Sequence, residues 1–126
     1  MIKYNEALSL LEIMWYGYIT DDNIQEAIDN VAKVLTTRQV KFFVSDVRNS
    51  NTTRVTEEAW LLNYCFPLLE YNGIKRMARI SDGCTLGQMV MGNIVDVMSK
   101  EEQYHFTVQS FAEREKAMDW LLNAQA

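Results

Sequence analysis

Residues 40–47, Val-Lys-Phe-Phe-Val-Ser-Asp-Val, limit the possible folds more than any other stretch of this chain. The run is short, β-branched and aromatic, as expected of a strand covered on both faces. A sheet with such a strand needs packed layers above and below it. The flanking segments supply them, and they do so in alternation.

Upstream, Ala7 to Ile19 (ALSLLEIMWYGYI) is too uniformly apolar for a helix with a polar face, so it reads as a long first strand or a tight strand pair, with a bulge or bend at Gly17. In the following TDDNIQEAIDNVAKVL, Asp22 and Gln25 stand at capping-box spacing. Ile24, Ala27, Ile28, Val31 and Leu35 recur at helical intervals. Downstream of Val47, Thr56 caps a helix that carries Glu57 and Glu58 in its first turn and Trp60, Leu61, Tyr64, Leu68 and Leu69 on its apolar side. Pro67 removes a donor there and presses on the carbonyl of Asn63, which predicts a kink, and Asn72-Gly73 ends the helix. KRMARIS (75–81) is a third strand. Thr85 and Gln88 open a helix whose face holds Leu86, Met89, Val90, Ile94 and Val97. Finally, Tyr104, Phe106 and Val108 alternate with His105, Thr107 and Gln109 in a strand with one wetter face. A capping box from Ser110 to Glu113 then begins a helix that ends near Leu122. Strand and helix alternate throughout. The expected fold is a single α/β domain over residues 1–126, with a four- or five-stranded, largely parallel or mixed sheet and about four helices.

With 126 residues, 48% of them hydrophobic and 23% charged, the chain can build one core of ordinary globular composition. The formal net charge is -5, and the basic residues are scattered except for Lys75, Arg76 and Arg79, which argues against nucleic acid as a partner. No apolar run approaches the roughly 20 residues of a membrane span, and MIKYNEALSL lacks a signal h-region, so the chain is expected in the cytoplasm. Cys65 and Cys84 read as reduced thiols. With one histidine and no CxxC, the chain offers no structural zinc site, and no cofactor is expected.

MWYGYIT followed by DD, then FFVSDVRN, EEAW, a Pro-containing helix ending in YNGIKRMARI and a closing F-x-x-R-E-K-A-x-x-W-L, together resemble the SpoIIAA-like group of small STAS-type domains, from about Leu8 to Leu122. That resemblance implies a four- or five-stranded sheet with helices packed on it. It also implies a binding protein rather than a catalyst, since the best-known relatives are anti-sigma-factor antagonists. In those relatives a serine at the start of the helix after this strand is phosphorylated by a partner kinase, which switches off partner binding. The equivalent region here is Asp46 to Thr56. Where the relatives carry an Asp, Ser, Ser-Ser-Gly type of signature, this chain has Asp46 and then Arg48, Asn49, Ser50, Asn51, Thr52 and Thr53, with no glycine. Only Asp46 carries over. A more distant likeness to CRAL-TRIO lipid-binding domains is one of fold.

Two candidate sites follow. The first is an interaction or phosphorylation loop with Asp46, Ser50, Thr53 and Thr56. A phosphate at Thr56 would suit a helix N-terminus, although turn and cap chemistry also accounts for these residue types. The second is a small-ligand crevice beyond the carboxyl ends of the strands, lined by Asp46, Arg48, Arg79 and Asp82; its plainer alternative is an Asp46–Arg79 ion pair with a solvated Arg48. His105 reads as a surface or partly covered histidine. SDGCTLG has neither GxGxxG nor a P-loop lysine, and no nucleophile, base and orienting group converge. Met89, Met91 and Met98, together with Trp15, Tyr16, Tyr18 and Trp60, divide between core and a surface for a protein partner or homodimer. The sequence therefore points to a non-enzymatic regulatory or protein-interaction module, or alternatively to a binder of a small or lipid-like molecule.

Overall fold

The structure, a computed structural model, describes residues 1–51, 64–81 and 105–123. Among these, five strands form one mixed sheet in the order β1-β2-β3-β4-β5. The strands are β1 (Ile2–Asn5), β2 (Leu10–Tyr18), β3 (Phe42–Asn51), β4 (Arg76–Ile80) and β5 (Thr107–Phe111). β1 runs antiparallel to β2, and the other neighbouring pairs are parallel. Three helices are described: α1 (Asp21–Thr37), α2 (Phe66–Tyr71) and α3 (Arg114–Asn123).

β3 is buried from both sides, as its composition requires. Phe43 and Val47 enter one core with Leu11, Ile13, Phe66, Leu69 and Met77, under α1 and α2. Phe42 and Val44 enter a second core with Leu10, Ala78, Ile80, Ala117 and Leu121, under α3. Burying each large apolar side chain contributes roughly 1.5–3 kcal/mol.

Several elements differ from expectation, each for a local reason. The first unit is a strand pair whose first member, Ile2–Asn5, lies outside the apolar run; four residues are too few to show a period. α1 is capped by Thr20 rather than Asp22. The Thr20 hydroxyl accepts the Asn23 N–H at 3.2 Å, and the Asn23 side chain accepts the Thr20 N–H at 3.1 Å, so an asparagine completes the box. β3 starts two residues later than predicted and runs on to Asn51, because β2 pairs with it as far as Tyr18. Pro67 sits in the first turn of α2, where no backbone donor is needed, directly after a π-wound turn at Tyr64 and Cys65. The predicted contact at Asn63 and the helix from Thr85 lie outside the described residues. Gly73, at φ +74°, closes α2, with its N–H and that of Ile74 returned to the carbonyls of Glu70 and Leu69. Ser110 does not cap α3; it stays in the ladder opposite Arg79, and the helix starts at Arg114.

An exposed contact ties α2 to the entry of β5. Glu70 Oε2 accepts the His105 backbone N–H at 2.9 Å, and Glu70 Oε1 meets His105 Nδ1. The side-chain bond to His105 holds the Glu70 carboxyl below its usual 4.5, and the same bond holds the His105 imidazole above its usual 6.5. The glutamate's contribution is present above 4.5 and is lost as pH falls through its lowered value. The histidine's is complete below 6.5 and is lost as pH rises through its raised value. Thermal melts should therefore separate wild type from His105→Gln most clearly between 4.5 and 6.5, with the gap closing at alkaline pH. In the core, Phe43→Ala should cost about 3–5 kcal/mol in denaturant unfolding.

Candidate functional site

β2 and β3 continue beyond the end of β4, whose last residue, Ile80, lies opposite Asp46. Just past that point β3 bulges. Between Met14↔Asp46 and Tyr16↔Asn49, the single residue Trp15 faces both Val47 and Arg48. Val47 stays in the core on the α1 side, while Asp46 and Arg48 share the α3 side. The Arg48 Nε and Nη2 atoms donate to the two Asp46 carboxylate oxygens at 3.0 and 2.8 Å, and the Arg48 backbone N–H adds a third bond at 3.1 Å. Asp46 is only 6% exposed, so its charge is neutralised locally instead of by water.

A second ion pair stands on the same face. Glu12 on β2 is buried, and both of its oxygens accept from Arg114, the first residue of α3, at 2.5 and 2.7 Å. This bond to Glu12, reinforced by Asp46, raises the Arg114 guanidinium further above its usual value. The pair fastens the start of α3 to β2, across 102 positions of sequence. Sequence reasoning passed over it, although the signal was there. Glu12 is the one charge in the apolar run 7–19, and Arg114 lies in the closing F-x-x-R-E-K-A.

The structure separates the proposed crevice residues. Arg79 pairs in register with Ser45, and Asp46 with Ile80, so successive side chains place Arg79 and Asp46 on opposite faces of the sheet. Arg79 is buried on the α1 side, where Ser45 also accepts the Trp15 indole N–H at 3.2 Å. The Asp46–Arg79 ion pair is therefore replaced by Asp46–Arg48. Of the loop residues, Ser50 is a buried strand residue whose hydroxyl donates to the Val47 carbonyl at 2.8 Å. Thr53, Thr56 and Asp82 lie outside the described residues, as do Trp60, Cys84 and the methionines at 89, 91 and 98.

Around this charged floor the surface is aromatic. Trp15 is buried, but Tyr16 and Tyr18 are 56% and 81% exposed, beside Asn49 and Asn51. An open depression of about 570 Å³ lies next to the Glu12–Arg114 pair, lined also by Lys3 and Asn5. Cys65 is buried and burial pushes its thiol up, so it is no thiolate nucleophile. Among the described residues, no group of three His, Cys, Asp or Glu side chains could hold a metal, and no helix is long and apolar enough to cross a membrane.

Solved structures share this architecture. An uncharacterized protein of the DUF3478 family with a SpoIIAA-like fold, from Shewanella loihica PV-4, superposes with a TM-score of 0.64 over 96% of this chain and 90% of its own, at 16% identity. The chain has a SpoIIAA-like fold. The anti-sigma factor antagonist SpoIIAA in its unphosphorylated form matches with a TM-score of 0.62 over 94% of each chain, at 10% identity. No family model and no curated protein matches the sequence. In this SpoIIAA-like sheet the end of β3 is the place where fold and polar residues coincide.

The two ends of the Glu12–Arg114 pair are unequally exposed, the glutamate side chain at 10% and the arginine at 45%. Removing the arginine strands a buried carboxylate, whereas removing the glutamate leaves an arginine that reaches water. Arg114→Ala should accordingly destabilise by about 1–3 kcal/mol, more than Glu12→Gln does, with the double variant recovering part of the loss. Urea unfolding of the three variants checks the order.

Proposed function

We propose that this chain is a non-enzymatic, cytoplasmic interaction module of the STAS type, whose contact surface is the carboxyl end of the β2–β3 pair and the segment that follows it, through Thr56. The observation that carries this reading is the state of the buried charges on the α3 face of these two strands. Asp46 is bound by Arg48 and Glu12 by Arg114, each through both carboxylate oxygens, so neither carboxylate is left over for acid–base work. Exposed instead are Tyr16, Tyr18 and Asn49, residue types that serve protein contacts well. The likeness to an anti-sigma factor antagonist agrees in kind. A phosphorylation switch, where one operates, uses Thr53 or Thr56, because the Ser50 hydroxyl is sealed under the strand. The ligand-binding alternative has less to stand on, since Arg79 and Asp46 occupy opposite faces and Arg114 is already engaged by Glu12.

A photo-crosslinking residue placed at Asn49 in the native host should capture a discrete protein. One placed at Tyr71, also exposed but on α2 ahead of the start of β4, should not. Absence of an adduct at Asn49, or the same adducts from both positions, contradicts the reading.

A further inference from the structure

β2 has a second unused surface, its outer edge. Met14 donates its N–H to the Met1 carbonyl at 2.8 Å and accepts from the Met1 ammonium at 2.9 Å, so both backbone groups of Met14 face the β1 side. Along a strand these groups alternate sides, with a repeat of two residues. The extra residue of the bulge lies on β3, so β2 keeps its alternation, with the Tyr16 hydroxyl reaching the Met14 sulfur on one face. The N–H and C=O of Tyr16 therefore face the same way as those of Met14, one step past Met1. Among the described residues nothing pairs with them. Beside them runs a groove of about 440 Å³ between this edge and α1, with Trp15 and Ile19 on its floor and Glu26 and Ala27 on its helical wall.

We infer that this groove receives an extended segment of a partner protein, which adds to the sheet antiparallel to β2 in line with β1 and places a lysine or arginine beside Trp15. Backbone groups aimed outward from a strand select a strand as their occupant. The residue next to Trp15 on such a strand points to the α1 side, where its aliphatic stem covers Ile19 and Ala27 and its charged head reaches Glu26. Charge selects the occupant further. Glu26 is the one charged side chain lining the groove, and with exposed Asp22 and Asp29, one turn to either side of it on α1, it outweighs the single Met1 ammonium, which is held by the Met14 carbonyl. A second copy of this chain would bring a like acidic helix against the first, which disfavours it. The inference rests on the reading of the chain as a binding module and assigns that module a second contact of its own.

The test uses the full chain and a capped heptapeptide alternating valine and lysine, with its valine–glutamate counterpart as control, read by amide hydrogen exchange. The lysine peptide should slow exchange at the Tyr16 amide. The glutamate peptide should not, and Glu26→Gln should weaken the effect severalfold. Tyr16→Pro removes the outward N–H at a position where an edge strand tolerates proline; with no amide left there to exchange, it is read by fluorescence polarisation of the labelled lysine peptide, whose binding it should abolish while the thermal melt stays cooperative. If that variant does not fold, the lysine peptide N-methylated at its central residue should fail to protect in its place. Equal protection by the glutamate peptide, indifference to Tyr16→Pro or N-methylation, or no protection at all overturns the inference. So does peptide-free protection that grows with protein concentration, which would seat a second copy in the groove. Loss of this effect with the Asn49 crosslink intact would sink the edge contact alone, whereas loss of both would sink the module.

Discussion

Everything in this molecule depends on β3 being buried on both faces. Phe43 and Val47 on one side and Phe42 and Val44 on the other leave no solvent face, so neighbours must pair with the strand on each edge and helices must close over each side. β2 and β4 provide the edges, in parallel, and α1, α2 and α3 provide the layers. The same burial sets the terms for polar groups. An acid on such a strand has no water to turn to, and the bulge after Asp46 brings Arg48 round to meet it. Glu12 on the neighbouring strand meets Arg114 for the same reason, and in doing so fixes where α3 begins.

The functional reading follows from that pairing. A site with chemistry to perform keeps a titratable group poised, whereas here the two carboxylates buried among the described residues, Asp46 and Glu12, are each gripped by an arginine. What is left exposed is the pair of tyrosines of β2 and the asparagine beside them on β3, residue types that serve protein contacts well. This suits a fold whose solved members include an anti-sigma factor antagonist. In the sequence, Thr53 and Thr56 follow β3 within five residues of its last member, Asn51.

The sequence showed the parts of the fold that have a strong period or a strong composition. The two-sided burial of β3, the buried stripe of α1, the alternation in β5 and the glycine stop at Gly73 were all legible. β1 was not, because its four residues carry no period and its pairing partner is fixed only by the turn at Glu6–Ser9. Cap positions slipped where two polar residues could each serve, as with Thr20 and Asp22. The site was less legible than the fold. Asp46 and Arg79 looked like partners because both lie toward strand ends, but a one-residue difference in register sends them to opposite faces, and register is a property of the folded sheet. Glu12 and Arg114 are separated by nearly the whole chain. The odd charge in an apolar run was the available clue that such a partner existed.

Native mass spectrometry of the chain, purified gently from its own host, tests the central claim most directly, because it weighs partner, ligand and modification in one spectrum. The account predicts a defined complex with another protein that falls apart when Tyr16 and Tyr18 are both replaced by serine in a chain that still folds. A chain that instead carries a stoichiometric small molecule, with no protein bound, would contradict it.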